Sequence, residues 1–215
     1  MKQKTKKNQK PRRMKKFRSQ IISFWLTQTY MPCSLADIGG GKGLVSYILN
    51  KSDWNSTVID PEFQNLPEKY TDLEKKHIKI LPESKVEYLV KPWTKELAQE
   101  NIDKFDVLLG LHAHGVMMNI IDFCAENNKD FILLPCCVID EPIVKMPDVN
   151  WRESLYDYAK SKGLPVKRIQ FNFMGKNIAI YTDRNLVKNP NCNTKEVNKY
   201  LIEPIRDELW GKETN

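Results

Sequence analysis

A glycine-rich segment near residue 40 combines residue types that suit the binding of a small ligand. Residues 34–44 read S-L-A-D-I-G-G-G-K-G-L. The pattern predicts a buried strand ending at Ile38, a turn containing four glycines, and a helix that begins at Leu44. Glycine tolerates a positive φ, and its missing Cβ lets a ligand lie directly against the backbone. A strand, a glycine turn and a helix N-terminus are typical of a cofactor cradle at the carboxyl end of a sheet.

The spacing of the glycines excludes two common phosphate-binding motifs. The dinucleotide motif G-x-G-x-x-G fails at Leu44, and the P-loop fails at Ala36 and Gly43. The pattern D-x-G-x-G-x-G from Asp37 resembles motif I of the class I S-adenosylmethionine (SAM) methyltransferases. The resemblance implies SAM as cofactor, with the Asp37 carboxylate attracting the ammonium of its amino-acid end. It also implies that the cofactor lies against three glycines: Gly39, Gly41 and Gly43. A glycine turn in another kind of α/β protein is the alternative.

Two further residues are candidate cofactor ligands. Asp60 ends the β-branched run S-T-V-I-D, 23 residues after Asp37. In nucleotide-binding α/β folds an acidic residue about 20 positions after the glycine loop binds the ribose hydroxyls. We therefore predict this role for Asp60, the alternative being a turn aspartate before Pro61. Trp93, after the third predicted strand, is suited to stacking on adenine, although a tryptophan beside a proline also packs on the protein body.

A second motif follows the fourth and fifth predicted strands. Residues 110–115 read G-L-H-A-H-G, and residues 131–137 read F-I-L-L-P-C-C. This pair resembles the methyltransferase domain of the family that contains the glutathione-S-transferase C-terminal-domain protein. The eukaryotic tRNA ribose methyltransferases are more distantly similar. The chain departs from the family pattern in having His114 in place of the usual cysteine and Val138 in place of an aromatic residue.

The side chains of this second motif are the candidate catalytic groups: His112, His114 and Cys136. All follow the ends of strands four and five, where the methyl group is expected, and a neutral imidazole can accept a proton during methyl transfer. Alternatively, His112 caps a strand and the two cysteines, Cys136 and Cys137, are small packing residues, an alternative favoured for Cys137. Two histidines and two cysteines also suit zinc. Their spacing is unlike that of structural zinc sites, so the sequence predicts no metal.

The elements that must position these groups alternate between strands and helices and then close with a hairpin at residues 166–182. This order predicts an α/β fold, a Rossmann-like seven-stranded class I methyltransferase sheet with helices on both faces and a closing antiparallel hairpin. Residues 62–85 are predicted as helix plus loop. We expect a basic, disordered tail over residues 1–16, a methyltransferase domain over 17–183 and a C-terminal helical extension over 184–215.

Positive charge is concentrated at the N-terminus. Residues 1–18 contain ten Lys or Arg and no acidic residue, whereas the remainder has 24 basic and 27 acidic residues. Such a segment can bind RNA phosphates through counterion release, and it can also act as a nuclear address or a solubilising extension. We predict a SAM-dependent methyltransferase acting on RNA, either tRNA or rRNA, contacted by the basic tail. A protein methyltransferase and a non-catalytic Rossmann-like RNA-binding subunit are the alternatives.

The lengths of the apolar runs and the spacing of the cysteines indicate the cellular compartment in which the protein is expected. The chain has no apolar run of 18 residues, so no membrane span is expected. Its five cysteines include no C-x-x-C pair, which indicates neither a disulfide framework nor a cysteine zinc knuckle. An intracellular protein is expected, either cytoplasmic or nuclear.

Overall fold

The computed structural model describes residues 13, 15–81, 86–142 and 150–202. Within these ranges the chain forms two sheets and six α-helices, with a 3-10 turn (Lys15–Phe17) before the first helix. The strands are β1 (Ser34–Ile38), β2 (Asn55–Ile59), β3 (Lys69–Thr71), β4 (His77–Lys79), β5 (Glu87–Leu89), β6 (Val107–Leu111), β7 (Asp130–Leu134), β8 (Lys167–Gln170) and β9 (Ile178–Tyr181). The helices are α1 (Arg18–Thr29), α2 (Leu44–Asn50), α3 (Lys95–Glu100), α4 (Met117–Glu126), α5 (Trp151–Ser161) and α6 (Thr194–Asn198).

The main sheet has the strand order β5-β2-β1-β6-β7-β9-β8. Its pairs are parallel except those of β9, which runs antiparallel to both β7 and β8. This is the order of the seven-stranded class I methyltransferase sheet, so the predicted fold class and its closing hairpin are confirmed. The chain order reverses direction between β1 and β6, which creates the crevice where open α/β sheets bind ligands.

Both faces of the sheet are covered by apolar side chains. Side chains along β7 alternate between the faces, so that Leu133 joins one core cluster and Ile132 the other. The first cluster includes α3, α4 and α5, and the second includes α1 and α2. All five residues of β7 are buried, as expected for a central strand. The two covered faces hold the strand ends of the crevice in a fixed register.

The prediction of helix plus loop for residues 62–85 is wrong in its helical part. Among the residues described there, 62–81, the regular elements are β3 and β4, which form a separate antiparallel hairpin. A turn decides the conformation: the Asp72 carboxylate accepts the Lys76 amide at 2.7 Å, and Lys75 adopts a φ of +66°. Aspartate favours such turns because its side chain bonds backbone N–H groups nearby.

The segments at the two ends of the described chain pack on the domain. Leu186, Val197 and Leu201 are buried in the same core cluster as α1. Arg13, inside the predicted tail, accepts the Met174 amide at 2.9 Å through its carbonyl oxygen. The tail over residues 1–12 and the end of the extension, 203–215, lie outside the described residues. None of the helices described here is both long and apolar enough to cross a membrane.

Candidate cofactor and catalytic site

The predicted site residues follow strand ends that meet at one edge of the sheet. Ile38 pairs with Ile59 on one side and with Gly110 on the other, and Leu111 pairs with Leu134. The loops after β1, β2, β6 and β7 therefore leave the sheet together. Hydrogen bonds continue past the strand ends: the Gly39 amide donates to the Ile59 carbonyl at 2.8 Å. The glycine loop and the two histidines thus share the crevice at the switch point.

The glycine loop requires glycine for two distinct reasons. Gly39, Gly41 and Gly43 have φ values of +65°, +54° and +70°, in the left-handed region that favours glycine. At Gly40 an added Cβ would lie only 2.7 Å from the Asp37 carboxyl. At Gly41 it would meet nothing closer than the Gln64 amide group, at 3.9 Å. The loop is therefore packed tightly against Asp37 at Gly40 and is open at Gly41, as a ligand cradle must be.

Asp37 is a buried carboxylate with one unsatisfied oxygen. Its side chain lies inside the protein, where Oδ2 accepts the Ser46 hydroxyl at 3.0 Å. Oδ1 has no hydrogen-bond partner in the part of the chain that the structure describes. Burial raises the pKa of Asp37 to about 6, although the bonds from Ser46 oppose the shift. An unpaired buried carboxylate is costly, so a cation brought to this loop would be stabilised by it.

Asp60 follows β2 and holds the glycine loop. Its Oδ2 accepts the Gly41 amide at 3.0 Å, and its Oδ1 accepts the Glu62 amide at 2.9 Å. Each carboxylate oxygen has a second lone pair, so these two bonds leave Asp60 able to accept from hydroxyl groups. Asp60 therefore lies beside the glycine loop, the position in which the sequence predicts it.

Tyr88 and Ser46 are site residues that the sequence analysis missed. The Tyr88 hydroxyl lies 2.9 Å from the Gly41 carbonyl oxygen and 3.0 Å from that of Gln64, which ties the glycine loop to the segment after β2. Burial, together with Asp37 and Asp60, raises the pKa of Tyr88 to about 12. A tyrosine within a strand carries no sequence signal for this role. Ser46 carries one, as a polar residue within an apolar helix.

Trp93 lies in the core. Its side chain is 6% exposed and packs edge-on against Phe123, with 5.7 Å between ring centroids. This arrangement is the packing alternative considered for Trp93 from the sequence. The structure therefore brings Asp37 and Asp60 together at the glycine loop, with Trp93 buried against α4.

His112 occupies a strained position at the end of β6. Its φ is +59°, and its backbone amide donates to the Leu134 carbonyl at 3.1 Å. Nε2 is buried and has no partner among the residues described. Burial lowers the pKa of His112 to about 4, and the positive charges of Arg18 and Lys15 lower it further. The imidazole is thus neutral, with one ring nitrogen unpaired.

The other two candidate catalytic residues form a cluster with Cys137. The His114 Nε2 lies 3.2 Å from the Sγ of Cys136 and 3.2 Å from that of Cys137, and the two sulfurs are 3.2 Å apart. His114 is exposed, whereas both cysteines are half-buried. Burial and the neighbouring Cys137 raise the pKa of Cys136 to about 11. The sequence places all four groups, His112 included, at the ends of strands four and five; the structure brings His114, Cys136 and Cys137 into contact.

Comparisons with known proteins concern the fold. No family model and no curated protein matches the chain. Similar solved structures include a SAM-dependent methyltransferase from Archaeoglobus fulgidus, with 13% identity, a TM-score of 0.48, and coverage of 80% of this chain and 94% of that one. An O-methyltransferase family protein from Burkholderia thailandensis has 12% identity and a TM-score of 0.44. The similarity covers 76% of this chain and 54% of that protein, so the chain spans about half its length. The fold assignment rests on the strand order itself.

Proposed function

We propose that this chain is a SAM-dependent methyltransferase. The observation that carries the proposal is the unpaired, buried Oδ1 of Asp37 beneath a glycine loop that is open at Gly41. A carboxylate in that position stabilises a cationic ligand, and SAM carries an ammonium at its amino-acid end. The loop lies at the switch point of a class I methyltransferase sheet. The residues present therefore fit the cofactor.

Each residue of the cradle has a distinct task in this proposal. Asp37 attracts the ammonium group because its buried Oδ1 has no hydrogen-bond partner among the described residues. Asp60 accepts from the ribose hydroxyls and keeps the loop in place through the Gly41 amide. When bound, SAM supplies an electrophilic methyl group on its sulfonium. His112, whose imidazole is neutral, is the proposed acceptor of the proton that the substrate group loses.

We propose RNA, either tRNA or rRNA, as the substrate. Lys15 and Arg18 are close enough to His112 to influence its charge state, so positive charge lies at the catalytic edge. Six further basic residues precede Arg13 in the sequence. A polyanion would meet this positive end first. The more distant resemblance to the eukaryotic tRNA ribose methyltransferases supports the same substrate class.

The cofactor assignment is tested by adding a methyl group to the cradle. Gly41→Ala projects a methyl into the open space of the loop, so SAM and S-adenosylhomocysteine should bind at least about tenfold more weakly, the factor that 1.4 kcal/mol gives. Binding is measured by isothermal titration calorimetry on the full chain. Gly163→Ala is the matched control, because Gly163 also has a positive φ (+76°) but nothing within 4 Å of an added Cβ.

The two variants separate backbone strain from ligand exclusion. Both should lose similar thermal stability, because alanine is strained at a positive φ in either place. Only Gly41→Ala should lose affinity for the cofactor. If wild type binds neither SAM nor S-adenosylhomocysteine, or if Gly41→Ala binds like Gly163→Ala, the proposed function is wrong.

A further inference from the structure

Three metal-binding side chains, those of His114, Cys136 and Cys137, form a cluster at the carboxyl edge of the sheet. Their ligand atoms all lie within 4.8 Å of one another. His114 comes from the loop after β6, and both cysteines come from the loop after β7. These two strands are neighbours with parallel register through Leu111 and Leu134. The sheet therefore assembles a site that linear spacing alone did not reveal.

We propose that His114, Cys136 and Cys137 bind a zinc ion. Two thiolates and one imidazole form a soft donor set that suits Zn²⁺, and the same Cys₂His set holds catalytic zinc in other enzymes. This site is separate from the proposed cofactor site, because none of its three side chains contacts Asp37 or Asp60 within the part of the chain that the structure describes.

The geometry needs only small adjustments to accept the ion. With bonds of about 2.3 Å, two thiolates on a tetrahedral zinc are about 3.8 Å apart. The observed separation of the sulfurs is 3.2 Å, so the cysteines would have to move apart by roughly half an ångström. Rotation of the side chains supplies this, because the cysteines are half-buried and His114 is exposed. The same exposure gives an ion a path into the site.

A zinc ion bound by these three side chains would have one coordination position without a protein ligand. Among the described residues no fourth His, Cys, Asp or Glu joins the group. The nearby Glu141 is already engaged, since its carboxylate accepts the amides of Met117 and Met118 at the start of α4. Three protein ligands with an open fourth position are typical of catalytic rather than structural zinc. The open position would hold water or a donor atom of a substrate.

The position of the cluster places this ion beside the cradle. Ala113 lies between the two histidines, and an added Cβ at Gly39 would be 3.0 Å from the Ala113 Cβ. The loop carrying His114 therefore packs directly on the glycine loop. On the proposed function, a zinc ion here would lie at the edge of the sheet where the methyl acceptor binds.

The test uses the full chain, purified under reducing conditions and stripped of metal. Wild type should take up one equivalent of Zn²⁺, and Co²⁺ in its place should give the absorption of tetrahedral cobalt with thiolate ligands. Cys136→Ser, Cys137→Ser and His114→Ala should each weaken Zn²⁺ binding by at least 100-fold, since loss even of an outer-shell partner costs about 10–100-fold. Cys192→Ser and His77→Ala are the matched controls and should bind like wild type.

The outcomes distinguish this site from the cofactor site. Zinc uptake with the expected variant pattern supports the metal site, whether or not the chain binds SAM in calorimetry. Uptake that persists in the Cys136→Ser/Cys137→Ser double variant would place the ion elsewhere and overturn the proposal. Absence of thiolate-to-cobalt absorption in the reduced wild type would overturn it as well. Circular dichroism of every variant establishes that the fold is retained.

Discussion

At the scale of single residues, Asp37 is the most informative group in the molecule. Its carboxylate is buried, is bonded on one oxygen by Ser46, and has a pKa raised to about 6. Residues that hold an unfavourable charge inside a fold do so where a ligand compensates for it. Ionisation of Asp37 is unfavourable in the protein alone, and a cationic group bound beside it would offset that cost.

The raised pKa of Asp37 predicts a specific pH dependence of folding stability. An unfolded aspartate titrates near 3.8 and Asp37 titrates near 6 in the folded chain, so the folded state holds the proton more tightly. Stability from this group is therefore present below about pH 4 and is lost as the pH rises through 6. Relative to wild type, Asp37→Asn should gain about 2 kcal/mol in the free energy of unfolding between pH 4 and pH 7.

Urea denaturation at a series of pH values measures this difference. If the asparagine amide itself changes stability by a constant amount, the plot of the stability difference against pH moves up or down but keeps its slope. Glu100→Gln, at an exposed position on α3, is the control and should give a flat difference. A flat curve for Asp37→Asn would show that Asp37 ionises normally.

At the scale of elements, the carboxyl end of β6 positions the proposed proton acceptor. His112 leaves the strand with a φ of +59°, and its amide bonds the end of β7. Asparagine tolerates the left-handed region at least as well as histidine but cannot accept a proton at neutral pH. His112→Asn should therefore keep the strand end intact while removing the base.

The expected result is a fall in kcat of roughly 10²-fold or more, since general base catalysis contributes about that much. The assay follows transfer of a radiolabelled methyl group to total tRNA and rRNA. SAM affinity, measured separately by calorimetry, should stay within about twofold of wild type, well under the tenfold that 1.4 kcal/mol represents. A parallel loss of affinity and turnover would instead make His112 a structural residue.

The elements show which parts of this structure local sequence can predict. Thr94 and Asn150 are the N-caps of α3 and α5, a role that local sequence indicates because a cap needs only a short polar side chain beside a helical run. The hairpin of β3 and β4 was missed because its turn depends on a few hydrogen bonds of Asp72 with Lys75 and Lys76. The glycine loop was predicted from spacing alone. The roles of Tyr88 and the meeting of His114 with the cysteines depend on neighbouring strands, which local patterns do not encode.

At the scale of the whole molecule, the basic segment and the catalytic edge are linked by α1. Lys15 and Arg18 stand at the start of this helix, and both act on His112. The backbone of Arg13 is bonded to Met174 beside the closing hairpin. Arg13, the first residue that the structure describes, is therefore held beside the closing hairpin.

The RNA proposal predicts a salt dependence carried by residues 2–12. Deleting them removes six positive charges but spares Arg13 and its bond to Met174. The slope of log K against log salt for single-stranded RNA should shrink by up to about 4, because each phosphate contact contributes about 0.7. SAM binding should be unchanged. Fluorescence anisotropy at several salt concentrations measures the slope.

A charge-neutral variant of full length is the matched control for this deletion. It replaces the six basic residues by glutamine, namely Lys2, Lys4, Lys6, Lys7, Lys10 and Arg12. It should behave like the deletion if charge rather than chain length binds RNA. An unchanged slope in both variants would remove the support that the basic segment gives to an RNA substrate.

The strand order also determines when the protein can fold during its synthesis. β9 lies between β7 and β8 although it is made after both of them, so β8 has no place in the sheet until residues 178–181 have left the ribosome. Until then β7, with five buried residues, presents an unpaired edge. Such edges promote aggregation. A nascent chain stalled between residues 135 and 177 would thus carry a complete glycine loop but also the unpaired edge of β7, and would be prone to aggregate until translation resumed.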